Sequence, residues 1–502
     1  MDLRRIVAFA LVLVTGANLL ELQRNYCLAE AVKQGHNTMN NEKTHAVGAR
    51  GRRAKSADSL LQLPINMRSH ARLLGRVERA HFNYFLENQD PKTGFVLDRS
   101  DPTSPASIAA IGFSLSAYAC AVKRGWVSRE EALAYTLKVL DTLWTAPQGE
   151  TASGTSGYRG WYYHFLEPDT GLRATSPRFW NSELSTIDTA LLMAGVLFAR
   201  NYFRGNSADE VRVRELATKL YERVEWSWMF REDKLVLHGW TPENGVIKHV
   251  YRGYSEAPLL YILALGSSTH PAPEGAWDAY LADTTVTHAY DVDYIKMPGE
   301  PLFCYQYPHS WIDFRGINDG VTAKAGFDYF ENSRRMAQVH YRYAQDNPKK
   351  FAGYGGFDWG LTACDGPGDA KKTVDGIERE FRGYSERGCP SGFDDGTIAP
   401  TAAVSSVAYA PEIVIPTIQY WLKNRPELFS DNGGFVDSFN PTFDRTTNSG
   451  WICHHRLGID QGPVVLMIEN FRSGLIWSVM RRDNNLRSGL IKAGFRGGWL
   501  KN

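Results

Sequence analysis

An all-α fold, an antiparallel array or toroid of helical hairpins joined by long aromatic-rich loops, is the architecture this sequence predicts. Three observations carry the prediction. Apolar residues recur at helical spacing in roughly ten segments between 69 and 479, bounded by Gly, Pro or capping residues. Strand-like runs are few; 234–240 and 245–251 frame a turn at Pro242-Glu243-Asn244-Gly245 and read as one short hairpin. The chemically unusual residues lie in the loops, as they do where the loops at one end of a helical scaffold build a site.

In chain order, Arg4 and Arg5 precede an apolar run from Ile6 to Leu20, and Ala29-Glu30-Ala31 offers a small-x-small cleavage site. Residues 1–31 therefore read as a signal peptide, with an uncleaved anchor as the alternative. Residues 32–65 are polar and basic without apolar period and read as a flexible lead-in. Residues 66–502 read as the folded domain. Its first helix places Leu73, Val77, Ala80 and Tyr84 on one face and ends at Asn88-Gln89-Asp90-Pro91. Further helical segments are 107–122, 129–144, 184–203, 209–230, 257–265, 277–283, 325–346, 407–422 and 463–479. No fixed-period repeat is visible.

With 43% hydrophobic and 22% charged residues in 502, the chain has the composition of a globular protein. A net charge of +1 leaves no electrostatic footprint for nucleic acid or an acidic membrane surface. Cleavage after Ala31 would leave five cysteines, Cys120, Cys304, Cys364, Cys389 and Cys453, an odd number without the CxxC spacing of a structural zinc site. Cys364 and Cys389 are the nearest pair for a disulfide after export. The 14 Trp, 24 Tyr and 24 Phe suit either a large aromatic core or a cleft that stacks sugar rings.

Acids at the starts of apolar helices are the main chemical signal. Glu256 directly precedes the apolar run 257–265, at a buried helix mouth where its pKa should rise, as a general acid requires. Helix-dipole complementation is the plainer account of an acid placed there. Asp188 stands three residues after the N-cap candidate Ser185, so it either caps its helix or works from its mouth, and Glu183 lies just outside. Asp394-Asp395 and Asp460 open the small-residue loop at 396–402 and the segment from Pro463. Three such placements predict helix ends converging on one polar cavity. His249, His270, His309, His454 and His455 lack zinc-hydrolase spacing, and no GxSxG, P-loop or helix-opening GxGxxG is present. Carboxylates among aromatics, without a cofactor or metal motif, leave glycosidic-bond chemistry.

At these residues the sequence resembles the bacterial glycoamylase-like family, which includes the endo-β-1,2-glucanases of glycoside hydrolase family 144 and is related to the transglycosylating domain of cyclic β-1,2-glucan synthases. The matching pieces include Ser185-Thr186-Ile187-Asp188, Gly253-Tyr254-Ser255-Glu256-Ala257, Gln306-Tyr307-Pro308-His309-Ser310-Trp311, Asp394-Asp395-Gly396-Thr397 and Gly458-Ile459-Asp460-Gln461. They recur in order over roughly residues 70–497.

The resemblance implies an (α/α)6 toroid, one catalytic domain without a cofactor, and an exported, periplasmic or secreted enzyme that cleaves a glucan, β-1,2-linked, with inversion in the hydrolysing members. It implies Glu256 as the acid and Asp188 as an important helix carboxylate. Asp365, Asp395 and Asp460 are the alternatives for the second carboxylate. Trp180, Tyr305, Trp311 and Trp359 are the candidates for sugar stacking, and Glu183, Gln306, His309 and Arg315 for polar contacts to an oligo- or polysaccharide. A monomer is expected, with no nucleic-acid or metal partner and no membrane attachment beyond the N-terminal signal. The rival readings are a glycan-binding protein without turnover and a helical-toroid polysaccharide lyase, which would need a basic cleft.

Overall fold

The computed structural model describes residues 67–175 and 182–501. The signal-peptide, lead-in and Trp180 expectations lie outside the described residues. The helices, in chain order, are α1 (Met67–Glu87), α2 (Ile108–Arg124), α3 (Arg129–Thr145), α4 (Thr186–Tyr202), α5 (Ala208–Arg223), α6 (Pro258–Gly266) and α7 (Ala276–Leu281). They continue with α8 (Gly320–Ala325), α9 (Tyr329–Asp346), α10 (Pro400–Val404), α11 (Pro411–Asn424), α12 (Gly458–Ser473), α13 (Leu475–Met480) and α14 (Asn484–Lys492).

Two kinds of helix are present. Helices α2, α4, α6 and α12 are buried around almost their whole circumference, the condition of a helix enclosed by others. Helices α1, α3, α5 and α9 bury one face and carry charge on the other. The buried helices pack side by side: α2 lies against both α4 and α12, and α4 against α6. Of the one-faced helices, α1 backs α12 and α5 backs α4, while the short α14 backs α6. Backbone meets backbone where α2 crosses α4. A Cβ on Gly112 of α2 would stand 2.3 Å from the Leu191 carbonyl oxygen, and one on Gly195 of α4 would stand 2.1 Å from that of Gly112.

Several expected segments divide. The run 407–422 splits at the start of α11, and 463–479 splits at Gly474, whose φ of 68° ends α12 in a left-handed cap. The hairpin around Pro242 is present, with Leu237–Thr241 paired to Gly245–Val250. Two further hairpins, Val286–Ala289 with Val292–Ile295 and Ala370–Val374 with Ile377–Phe381, correct the expectation of few strands. Their two-residue turns, Tyr290-Asp291 and Asp375-Gly376, hold positive φ at both positions, the geometry that tight hairpins require. The molecule is thus helix-rich, with small sheets confined to the connections. Among the described residues no helix is long and apolar enough to cross a membrane. All five described cysteines are free and buried, which corrects the Cys364–Cys389 pairing.

Candidate active site

Glu256 stands at the mouth of α6, with Ala257 as N-cap and Pro258 inside the first turn. Because every residue of α6 is buried, its mouth opens inside the protein rather than on an outer face. The Tyr251 hydroxyl donates to Glu256 Oε1 at 3.2 Å. Burial first, then the negative charge on Asp188, push the carboxyl up to about 8, against the lowering effect of the Tyr251 hydrogen bond and the more distant His164. The side chain nevertheless remains partly accessible. It is a protonated carboxyl at neutral pH, in a place that solvent can reach.

Asp188 occupies the first turn of α4. Ser185, the N-cap, accepts from the Asp188 amide and donates its hydroxyl to Asp188 Oδ2 at 2.5 Å. Capping and a working carboxylate are therefore not alternatives: the amide is capped while the carboxylate turns toward His164, whose Nε2 lies 3.6 Å from Oδ2. Backbone pairing places that histidine, since the His164 amide donates to the Glu183 carbonyl at 2.8 Å. Its Nδ1 meets Glu183 Oε1 at 3.0 Å. Burial disfavours a charged ring there, but Asp188 and Glu183, with Asp98 behind them, raise it to about 10. His164 is an imidazolium between two carboxylates.

Asp460 lies in the first turn of α12 and is 5% exposed. The Tyr307 hydroxyl donates to its Oδ1 at 2.9 Å. Burial raises it to about 7; Asp98 and Asp365 add to the rise, and Tyr307 and Arg99 oppose it. Arg99 bonds Asp365 Oδ2 at 2.8 Å and Asp98 Oδ2 at 3.4 Å. The Gly458 amide donates to the Asp98 carbonyl at 2.7 Å, tying this loop to the start of α12. Tyr307 in turn feels both Asp460 and Glu256. The electrostatic neighbours thus close a ring running Glu256, Asp188, His164, Asp98, Asp460, Tyr307 and back to Glu256. At its edge Tyr384 presents 44% of its surface to solvent, while crowding at its hydroxyl and then the charges on Asp460 and Asp98 push the phenol well up. Glu386, two residues on, is exposed on one side, and the protein packed around its carboxyl pushes it up to about 7.

Asp395 does not join this ring, which corrects its candidacy for catalysis. It forms an ion pair with Arg387 at 2.8 Å in which neither side chain is exposed, and its oxygens also accept from the Arg382 and Thr397 amides. Arg387 spends its remaining donors on the Cys364, Arg382, Gly383 and Ser385 carbonyls. The pair braces the 382–387 loop that carries Tyr384 and Glu386. The expected stacking and contact residues need the same correction. Trp311, Trp359 and Tyr305 are at most 1% exposed. The Trp311 indole donates to Ser116 Oγ and lies 4.6 Å from the Phe113 ring, and Trp359 donates to Thr417 Oγ1. Tyr305 accepts from the Met297 amide. Gln306 bonds the Ala402 carbonyl and Ser406, and His309 bonds Ser333. These rings and amides serve packing. Arg315 is held by Asp313 through two bonds of 2.7 and 2.8 Å and lies 4.2 Å over the Trp477 ring.

The family model described as "Putative glucoamylase" matches residues 248–484, the stretch that holds Glu256, Tyr307, Tyr384, Glu386 and Asp460. This stretch is glycoamylase-family sequence. The chain is similar over 449 residues, at 26% identity, to the exo β-1,2-glucooligosaccharide sophorohydrolase (non-reducing end) of Parabacteroides distasonis. That alignment takes in 84% of this chain, and the chain spans 57% of the length of that curated relative. The endo-β-1,2-glucanase of Chitinophaga pinensis, solved with sophorotriose and glucose, superposes with a TM-score of 0.73 at 27% identity, over 89% of this chain and all of that one. A structure named as a putative glucoamylase from Bacteroides uniformis superposes with a TM-score of 0.76 at 29% identity, over 88% of this chain and all of that one.

Outside the family stretch, sequence reasoning passed over Asp98, Arg99 and His164; within it, Tyr251, Tyr384 and Glu386. Asp98 had a usable signal: it follows the apolar Phe95-Val96-Leu97 and stands in the loop ahead of buried α2, as the other acids stand ahead of theirs. His164 and Tyr384 had none, because their partners arrive from distant loops.

Proposed function

We propose that the protein is an exported, monomeric glycoside hydrolase that cleaves β-1,2-linked glucan with inversion on an (α/α)6 toroid. The observation that carries the reading is Glu256, a carboxyl that keeps its proton at neutral pH, is reachable by solvent, and stands beside a second carboxylate, Asp188. In the proposed step Glu256 donates its proton to the glycosidic oxygen as the C1–O bond breaks. Asp188 takes a proton from the water whose oxygen attacks C1 from the opposite face. The His164 imidazolium holds Asp188 in place and balances the charge that moves between the two acids. The names of the relatives support the β-1,2 linkage. Among the described residues the acids of the ring are met by two cations, Arg99 and His164, which disfavours a lyase, whose uronate substrate calls for a basic cleft.

The test is to incubate the purified full-length protein with linear β-1,2-, β-1,3-, β-1,4- and α-1,4-glucans and to follow products by chromatography and by NMR of the newly formed anomer. Cleavage of the β-1,2 polymer alone, with the α-anomer released first, is expected. No cleavage of that polymer, or release of the β-anomer, overturns the substrate or the stereochemistry respectively. An Asp460→Asn variant that is inactive while Asp188→Asn turns over normally would move the base to Asp460.

A further inference from the structure

We infer that Asp365, Asp437 and Cys453 form a binding site for one divalent cation of the zinc class, next to the acids at the start of α12. Each offers one ligand atom, and the three atoms lie within 4.8 Å of one another. Cys453 Sγ stands 3.5 Å from Asp365 Oδ2. With zinc–sulfur bonds of about 2.3 Å and zinc–oxygen bonds of about 2.0 Å, a tetrahedral angle puts neighbouring sulfur and oxygen ligands ~3.5 Å apart.

The second observation is independent of that spacing. Asp437 is fully buried, and while its Oδ2 accepts from the Asp365 amide at 2.7 Å, its Oδ1 has no hydrogen-bond partner among the described residues. A buried carboxylate oxygen left unpaired is costly, and a cation is one of the few partners that removes the cost. The third is the chemistry of the donor set. Cys453 is a free thiol, 6% exposed. Sulfur with two carboxylates suits zinc, whereas calcium and magnesium take oxygen throughout.

The ligands are also held rigidly. Ser438 pairs directly with Cys453 across two antiparallel strands, which makes Asp437 and Cys453 near neighbours on a fixed ladder. The Ser438 hydroxyl bonds the Asp365 carbonyl at 2.5 Å, pinning the third ligand to the same strand. Arg99, already on Asp365 Oδ2, has the position of an outer donor that orients a ligating carboxylate. The Asp365 side chain is 18% exposed, so an ion can enter beside it and take water as its fourth ligand. The three residues are scattered along the chain, which is why no metal motif showed in the sequence.

The alternative is a thiol that donates to Asp365 and an Asp437 that carries a proton. Full-length protein stripped with EDTA and titrated with cobalt(II) separates the two. One equivalent should bind with a near-ultraviolet thiolate-to-cobalt charge-transfer band that zinc(II) then abolishes. Cys453→Ser should lose the band and weaken zinc binding by about tenfold or more, and Asp437→Asn should weaken it similarly. Cobalt binding without the band, a band that survives Cys453→Ser, or no stoichiometric binding overturns the site. If Asp437→Asn does not fold, the band in folded Cys453→Ser, checked by circular dichroism, decides.

Discussion

Replacing Glu256 by Gln keeps the shape of the side chain and removes the proton that the proposed reaction needs, so activity and stability should move in opposite directions. Hydrolysis should fall by about a hundredfold or more, the usual scale for loss of a general acid. In the wild type kcat/KM should decline as pH rises through about 8, where Glu256 loses its proton, and the Gln variant should lack that limb. For stability, the folded state holds this proton up to about 8, whereas the unfolded chain releases it near 4.5. The wild type therefore loses stability, relative to the Gln variant, as pH climbs between those values. At ~1.4 kcal/mol per pH unit the loss is at most about 5 kcal/mol, and solvent reaching the carboxyl brings it to roughly 2 kcal/mol. Melting curves of both proteins at pH 4, 6, 8 and 9 should show the Gln variant gaining a few degrees over the wild type and levelling off above pH 8. A gap that does not change with pH refutes the protonated carboxyl, and near wild-type turnover in the variant refutes its role.

Asp188→Asn should lower kcat by about 10²–10³-fold, measured on the best substrate, with its fold intact by circular dichroism. His164→Gln removes a positive charge that lowers Glu256, so the basic limb of the pH profile should move upward. Trp311→Ala and Trp359→Ala should each cost about 3–5 kcal/mol in denaturant unfolding and leave KM of the surviving folded fraction unchanged, because both rings are core. Arg387→Ala strands a buried Asp395, which should cost about 3–5 kcal/mol by the same assay and lower turnover by loosening the loop of Tyr384 and Glu386.

The acids at helix mouths were legible because an acid just before a buried helix or in its first turn is a local pattern. Glu256, Asp188 and Asp460 each satisfy it, and each reaches the ring of interacting charges. The same pattern misled at Asp395, since its partner Arg387 comes from a loop whose course the sequence does not show. Aromatic density in loops misled more widely. Trp311 and Trp359 carry a polar N–H that Ser116 and Thr417 satisfy deep in the protein, and ring identity does not reveal which face is covered. Some legible signals were passed over. The Asp375-Gly376 turn between Lys371-Lys372-Thr373-Val374 and Ile377 is a strong hairpin signature. Others were beyond reach, as with His164, whose pairing with Asp188 exists only once the loop at 161–166 lies along the start of α4.

The meeting of Gly112 with Gly195 has a consequence for tolerance to change. Gly195 lies seven residues from Asp188 on the same helix, about 10 Å along its axis at 1.5 Å per residue. A methyl group at either glycine has no soft neighbour to yield, because backbone atoms of the facing helix occupy the space. The only relief is a sliding or tilting of α4 as a body, which moves its mouth. Since a displacement of about 1 Å at a reacting group can cost a hundredfold in rate, an alanine two turns from Asp188 would act as a remote mutation of the site. Selection for the geometry of the site therefore bears on two residues that have no side chain.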